Sequence, residues 1–312
     1  MKVLVAIPTL FVRDALRKEL ESLENQSLRP YKILLITPRG SIGGDWEEFL
    51  SKFKSVELAY LENYTREEVV SKKRNSMIDA RNYALSRAET ELEEDDIVIF
   101  LDDDCILDKN WILVAVQNLE NEEVGGFTGK VINHRDEGTL RKAEVAGLGL
   151  IQYLFGSDKI GSITECGYVS TAFDGPSRTE VDHLPGVTMA YKAGKVRGLK
   201  FDENYKGNCY REETDFSLRV KKNFKLIYDP EAKADHILGT TRRDRNSTYY
   251  KSYNHIYFWK KNFDFTFCFF IRESLEALLL IVAALVSFNA DYLYGIKGKI
   301  DSYRKFLFRG NK

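Results

Sequence analysis

The chain has no cysteines spaced to grip a metal, no apolar run long enough to span a bilayer and no excess charge of either sign. Its four cysteines, Cys105, Cys166, Cys209 and Cys268, lie far apart and form no CxxC unit. That spacing argues against zinc and for reduced thiols in a cytosolic compartment. Acids and bases nearly cancel, 47 against 46, leaving a formal net charge of -1, so no basic field points to nucleic acid. The aromatics are scattered and form no stacking stripe for bases. Met1 runs directly into a strand, without the charged, apolar and small-residue segments of a signal peptide. Gly40–Gly44 lacks the Lys-Ser/Thr of a P-loop and the spacing of a dinucleotide fingerprint. No repeat or low-complexity segment is evident.

What the chain does have is a β-branched apolar strand, Ile97-Val98-Ile99-Phe100-Leu101, ending in three adjacent carboxylates, Asp102, Asp103 and Asp104. Like charges side by side are costly without a cation. Open parallel α/β sheets place ligands at the carboxyl ends of their strands, and a hard divalent cation held by one or two carboxylates plus phosphate oxygens fits there. Upstream, apolar runs at Val3–Pro8, Lys32–Thr37 and Val56–Tyr60 alternate with helical spacing at Asp14–Leu23, Trp46–Phe53 and Arg74–Ala88. This is the βαβαβ pattern of a nucleotide-binding half-domain with right-handed crossovers. Beyond Asp104, a helix at Trp111–Leu119 and a strand at Gly125–Ile132 precede a Gly/Ser/Thr-rich stretch, Gly147–Arg178, expected to be a mobile loop over the site. Order returns at Val181–Tyr191, a helix follows at Glu212–Lys222, and Tyr228–Pro230 closes the globular part.

The order of these motifs resembles the inverting GT-A glycosyltransferases of family 2. Ala6-Ile7-Pro8-Thr9 is similar to the family's first strand and nucleotide-contacting turn, and Ser22–Ser27 to the "SLxxQ" end of its first helix. Ala80-Arg81-Asn82 resembles its "ARN" element, and Phe100–Asp104 its metal-binding "DxD". Leu184–Met189 resembles the acceptor-site "GxNM", with Thr188 where Asn is common. Glu212–Arg219 resembles the "ED" catalytic helix, with Glu213 where Asp is usual. The resemblance implies an α/β, Rossmann-like GT-A fold. It implies a donor site at Pro8, Thr9, Arg81, Asp102 and Asp103, and Mn²⁺ or Mg²⁺ on Asp104 with Asp102; read from the residues themselves, Arg39 is a phosphate or base contact or a solvated loop arginine, and His236 a further metal or phosphate ligand or a structural histidine. Gly186, Thr188 and Met189 would form the acceptor site, and Asn82 would face the sugar.

An inverting transfer needs the leaving diphosphate stabilised and the acceptor hydroxyl deprotonated, without a covalent enzyme intermediate. Glu213 aligns with the family's base, but its extra methylene adds about 1.5 Å of reach, so Glu212 stays an alternative. Asp215 and Arg219 are spaced i, i+4 and read as a helix-face pair. The turn after the second strand, Thr37–Asp45, lacks the usual acidic contact to the base, which leaves UDP-, GDP- and dTDP-sugars open as donors.

The division expected is a catalytic domain at 1–240, with a nucleotide-sugar half at 1–104 and an acceptor half at 105–240, then a helical, amphipathic, membrane-associated tail at 241–312. In that tail Ala277–Phe288 is almost wholly apolar. Twelve residues cover about 18 Å as helix, against a hydrocarbon core of roughly 30 Å. An interfacial helix is the expectation, with Tyr257 and Trp259 at headgroup depth and Lys297, Lys299, Arg304 and Lys305 facing anionic lipid. Packing on the core or in a homodimer is the alternative. The function expected is a glycosyltransferase, peripheral on the cytoplasmic membrane face, acting on a polyprenyl-linked or cell-surface glycan. Two rivals are a nucleotidyltransferase acting on a sugar phosphate and a non-catalytic membrane scaffold. Pro8-Thr9-Leu10-Phe11 stands where the nucleotidyltransferase would carry a Gly-rich basic loop, and the intact acidic elements disfavour the scaffold.

Overall fold

A computed structural model describes residues 1–10, 14–65, 67, 76–134, 149–237 and 245–308. The apolar runs of the first hundred residues become β1 (Val3–Pro8), β2 (Lys32–Arg39), β3 (Val56–Thr65) and β4 (Ile97–Leu101). They pair in parallel in the order β3-β2-β1-β4. Every residue of β1 and β4 is buried, because packed layers cover both faces of the sheet, which makes such strands continuously apolar. The pleat sorts them. Val3, Val5, Ile7, Ile97 and Ile99 share a core with Leu16, Leu20 and Leu23 of α1 (Asp14–Glu24) and with Trp46 of α2 (Asp45–Leu50). Leu4, Ala6, Val98 and Phe100 pack with Ile78, Ala84 and Leu85 of α3 (Ser76–Glu91) on the other face. Arg74, the expected start of that helix, lies outside the described residues.

After β4 the sheet changes direction. It continues with β5 (Cys105–Leu107), α4 (Trp111–Leu119), β6 (Val124–His134), β7 (Thr179–Val181), β8 (Thr188–Lys192), α5 (Ala193–Val196), α6 (Glu212–Lys221) and β9 (Lys225–Ile237). β8 runs antiparallel to β4 and places Phe100 opposite Met189 and Leu101 opposite Thr188. β6 joins β8 to β9, and β9 pairs antiparallel with β5 so that Cys105 faces His236. The last strand thus runs on past Pro230, where the sequence suggested an end.

Two expectations for the second half change. Cys166 and Cys268 form a disulfide across 102 positions, while Cys105 and Cys209 are buried thiols outside it. The four thiols are therefore not all reduced, because the fold brings together cysteines that sequence spacing keeps apart. The described part of the expected mobile loop is tied down at its centre, where Ile163 bridges Val169, Phe173 is 2% exposed and Cys166 is stapled, while residues 149–155 form a helix with Tyr153 and Leu154 exposed. Residues 147 and 148 lie outside the described residues.

Three helices follow, α7 (Arg245–Asn262), α8 (Phe267–Ser287) and α9 (Leu293–Tyr303). α7 is not at headgroup depth. Ile256, Phe258 and Trp259 join the core containing Phe201 and Phe216, and Tyr257 Oη donates to Asp202 at 2.8 Å. Lys299 is buried against Glu273 and Glu276, 3.0 Å from the latter, and so does not face lipid. α8 does keep an outward stripe, Leu278, Ile281, Val282, Leu285 and Val286, all exposed. Among the described residues no helix is long and apolar enough to cross a membrane. The expected boundary at 240 falls outside the described residues.

Candidate active site

The end of β4 opens into the acidic turn, which is tied down on both sides. Asp102 N–H donates to Val187 O at 3.2 Å, and Thr9 Oγ1 donates to Asp103 Oδ2 at 2.6 Å. Thr9 N–H also donates to Ile36 O at 2.9 Å, so the end of β1 holds the turn in place. Burial pushes the Asp102 carboxyl up to about 6, against the pull of the Arg81 guanidinium. Glu19, on the apolar face of α1, is fully buried beneath this turn, with neither carboxylate oxygen hydrogen-bonded among the described residues. Burial first, then Asp103, Asp104 and Asp102, push it well above the usual carboxylate range.

The β5–β9 pairing brings His236 to Asp104, with Nε2 at 3.1 Å from Oδ1. His236 Nδ1 lies 3.0 Å from Asn133 Oδ1. With Nδ1–H donated to Asn133, the Nε2 lone pair faces a carboxylate oxygen, an arrangement that calls for a proton or a metal ion at Nε2. An imidazole oriented through its other nitrogen is the usual support for a ligating His. Among the described residues no group of three or more His, Cys, Asp or Glu side chains converges as a ready-made metal cage. Mg²⁺ and Mn²⁺ need none, since one or two protein ligands plus substrate phosphates suffice. Asp104 and His236 fit that role.

Across the site, Arg81 of α3 links the acidic turn to the helix α6. Only 3% exposed, it donates to Glu212, to Asp102 Oδ1 at 3.3 Å and to Gly186 O at 3.1 Å. Arg81 is thus directed to protein carboxylates and a carbonyl rather than held out for a diphosphate. Burial pushes Glu212 up to about 8, with Arg81 opposing and Glu213 and Asp102 adding to the rise. Glu213 differs from its neighbour. It is half-buried, accepts from Thr214 Oγ1 at 3.2 Å, and its Cγ would lie 3.6 Å from a β-carbon placed on Gly186. Ser217 Oγ donates to Glu213 O at 2.8 Å and accepts from Leu184 N–H at 3.1 Å, which pins the first turn of α6 to the 184–187 segment. Asp215 pairs with Arg219 at 3.1 Å as expected, and also with Lys261 at 2.9 Å and Asn262 at 2.9 Å, so it binds α6 to α7.

Other expected residues fall elsewhere. Thr188 and Met189 are fully buried, Thr188 Oγ1 lying 2.9 Å from Thr128 Oγ1, so neither side chain is presented to an acceptor. A strand alternates its faces, and β8 is buried on both. Asn82 does not face the sugar side: its amide donates to Phe201 O at 3.0 Å and accepts from Phe201 N–H at 2.7 Å. Pro8 is buried at the end of β1, and Arg39 is exposed at the end of β2. The structure therefore groups Thr9, Asp102, Asp103, Asp104, His236, Arg81, Gly186, Glu212 and Glu213. The sequence reading missed Glu19, Asn133 and Arg211. Glu19 left a signal, because it shares a helical face with Leu16, Leu20 and Leu23.

The sequence matches the family model Glycosyl transferase family 2 over residues 4–168. No curated protein sequence matches the chain. Among solved structures the fold is similar to that of S. aureus TarS 1-349 in complex with UDP-GlcNAc. The TM-score is 0.57 at 14% identity, covering 99% of this chain and 82% of that one. GalNAc-T7 with UDP, GalNAc and Mn²⁺ matches at a TM-score of 0.53 and 16% identity over 88% of this chain, which spans only 54% of that protein. At such identities these likenesses speak for the fold alone. The family match takes in more than half of the 312 residues, and the chain belongs to glycosyl transferase family 2, a glycosyltransferase built on the GT-A fold.

Proposed function

We propose that the protein moves a sugar from a nucleoside diphosphate donor to an acceptor hydroxyl with inversion at the anomeric carbon, assisted by Mn²⁺ or Mg²⁺. The observation that carries this reading is the contrast between adjacent glutamates. Glu212 is buried and committed to Arg81, whereas Glu213 is half-buried beside Gly186, on the element facing the acidic turn. Glu213 is the general base, taking the acceptor proton at a carboxylate oxygen as the hydroxyl attacks the face of the sugar opposite the diphosphate. Arg81 and Glu212 fix the distance between α3 and α6. Thr9 and Asp103 shape the donor floor, with Asp102 and Asp103 facing ribose or a bound water. Asp104 and His236 hold the metal, which when bound neutralises charge on the departing diphosphate.

The donor is a UDP-, GDP- or dTDP-sugar, and the acceptor is a lipid-linked or cell-surface glycan reached at a membrane surface. The exposed stripe of α8 supports peripheral attachment, since an apolar helix face left in water favours an interface. Turnover with a panel of these nucleotide sugars, with and without Mn²⁺ or Mg²⁺, and the anomeric configuration of the product, test the chemistry. A product with retained configuration would overturn inversion. Flotation with anionic liposomes tests attachment, and a concentration-dependent dimer without flotation would overturn it.

A further inference from the structure

Behind α6 lies a second pocket, lined by residues given no role so far. It is lined by Arg211, Lys251, His255, Arg272, Glu276 and Lys299, from the residue before Glu212 and from α7, α8 and α9. Cations predominate. Four basic side chains line a pocket with one carboxylate, and Glu273, just behind, brings the carboxylates to two. Those carboxylates are already engaged: Arg272 and Lys299 both pair with Glu273 and Glu276, the latter at 3.3 and 3.0 Å.

Among the described residues the buried polar atoms left over here include Glu273 Oε1 and three nitrogens. Arg211 Nε, Arg272 Nε and His255 Nδ1 are buried without a hydrogen-bond partner among the described residues, each on a side chain about 5% exposed. His255 Nε2 lies 2.8 Å from the Arg272 guanidinium, which can only donate. Accepting from Arg272, the nearer partner, leaves the proton on Nδ1, with Glu273 Oε1 farther from Nε2 at 3.5 Å. Burial, then Arg272 and Arg211, hold His255 well below its usual range, in agreement with a neutral ring. Three orphaned N–H donors around a cationic pocket are a costly arrangement in an empty protein. A planar carboxylate offers two oxygens, but divergent donors on three side chains suit a tetrahedral anion with an oxygen for each.

We propose that this pocket binds a phosphoryl group carried by the acceptor, and that Arg211 couples its occupancy to the first turn of the catalytic helix. Arg211 is suited to this. It is the N-cap of α6 in the left-handed region, φ 78°, a conformation a non-glycine residue holds only under constraint from its surroundings. The acceptor arm rests on the transferase reading above, whereas the binding arm does not.

Inorganic phosphate is titrated into the full-length protein at constant ionic strength, with chloride as control, and thermal stability is read for wild type and Lys251→Met. Lys251 stacks over Tyr210 at 5.3 Å at the pocket wall, so its loss should not unfold the chain. Saturable stabilisation by phosphate that weakens about tenfold in the variant is expected. Equal responses to phosphate and chloride, or equal responses of the two proteins, overturn the site. In transfer assays, Lys251→Met should raise KM for a phosphorylated acceptor about tenfold with kcat, donor hydrolysis and KM for the dephosphorylated analogue unchanged. Phosphate binding with an unchanged KM for the phosphorylated acceptor overturns the acceptor as its source. Absence of transfer from any donor would fail the transferase reading and leave the phosphate titration interpretable.

Discussion

Two charged regions meet at consecutive residues, Arg211 and Glu212, and they are unbalanced in opposite senses. Around the acidic turn, Glu19, Asp102, Asp103, Asp104, Glu212 and Glu213 outnumber Arg81 and His236, and burial pushes Glu19, Asp102 and Glu212 upward. Around the rear pocket the bases outnumber the carboxylates, and burial pushes His255, Arg272 and Lys299 downward. In each region desolvation weighs on the charge in the majority. A buried surplus of one sign persists in a folded protein when a ligand of the opposite sign is its partner in the working state.

The sharpest way to test the front region is Glu213→Gln, which keeps shape and removes the proposed base. Single-turnover transfer should slow by roughly 10² to 10⁴ with donor affinity unchanged. The same loss in Glu212→Gln, with Glu213→Gln active, would move the base to the residue on Arg81. Next in size is Arg81→Met, which strands Glu212 and Asp102. Breaking a buried ion pair from one side costs about 3–5 kcal/mol, read as a lowered denaturation midpoint above pH 8, where Glu212 is ionised, and there adding Glu212→Gln should recover part of the loss.

Asp104→Asn bears on the cation expected for the acidic surplus. Calorimetric titration with Mn²⁺ and nucleoside diphosphate should show affinity reduced by at least the roughly 10–100-fold typical of losing a metal's supporting groups. Unchanged affinity would take the metal away from Asp104 and His236. Smallest is a pH effect in the ligand-free protein. Folded Glu212 keeps its proton to about 8, while the unfolded side chain loses it near 4.5. The folded state then binds the extra proton throughout that window, so this group makes stability decline as pH rises across it. Glu212→Gln should flatten the slope between those values.

The parallel half of the sheet was legible because strands buried on both faces carry uninterrupted apolar runs, as Ile97–Leu101 does. β9 was cut short because Pro230, Glu231, Lys233 and Asp235 interleave with Ala232, Ala234 and His236, the half-polar alternation of a strand with one exposed face. The acidic turn and the paired glutamates could be read from residue type and order. Their partners could not: Asn133 and Arg81 reach His236 and Glu212 across 103 and 131 positions, distances that only folding closes. Trp259 and Tyr257 misled for a related reason. An aromatic beside lysines looks the same whether it meets lipid headgroups or, as here, a core of Phe201 and Phe216.

The disulfide has a consequence for the order in which the molecule is made. Cys166 and Cys268 close a covalent ring that contains Glu213 and His236 but leaves Asp104 and Arg81 outside. As the chain emerges from the ribosome, β1 to β4 can pair once Leu101 has been synthesised, since those strands need only one another and their helices. The ring waits until Cys268 has been added, by which time most of the protein exists. Glu213 and His236 are thus fastened last, and a nascent chain carries a finished β1–β4 sheet well before it carries the whole candidate site.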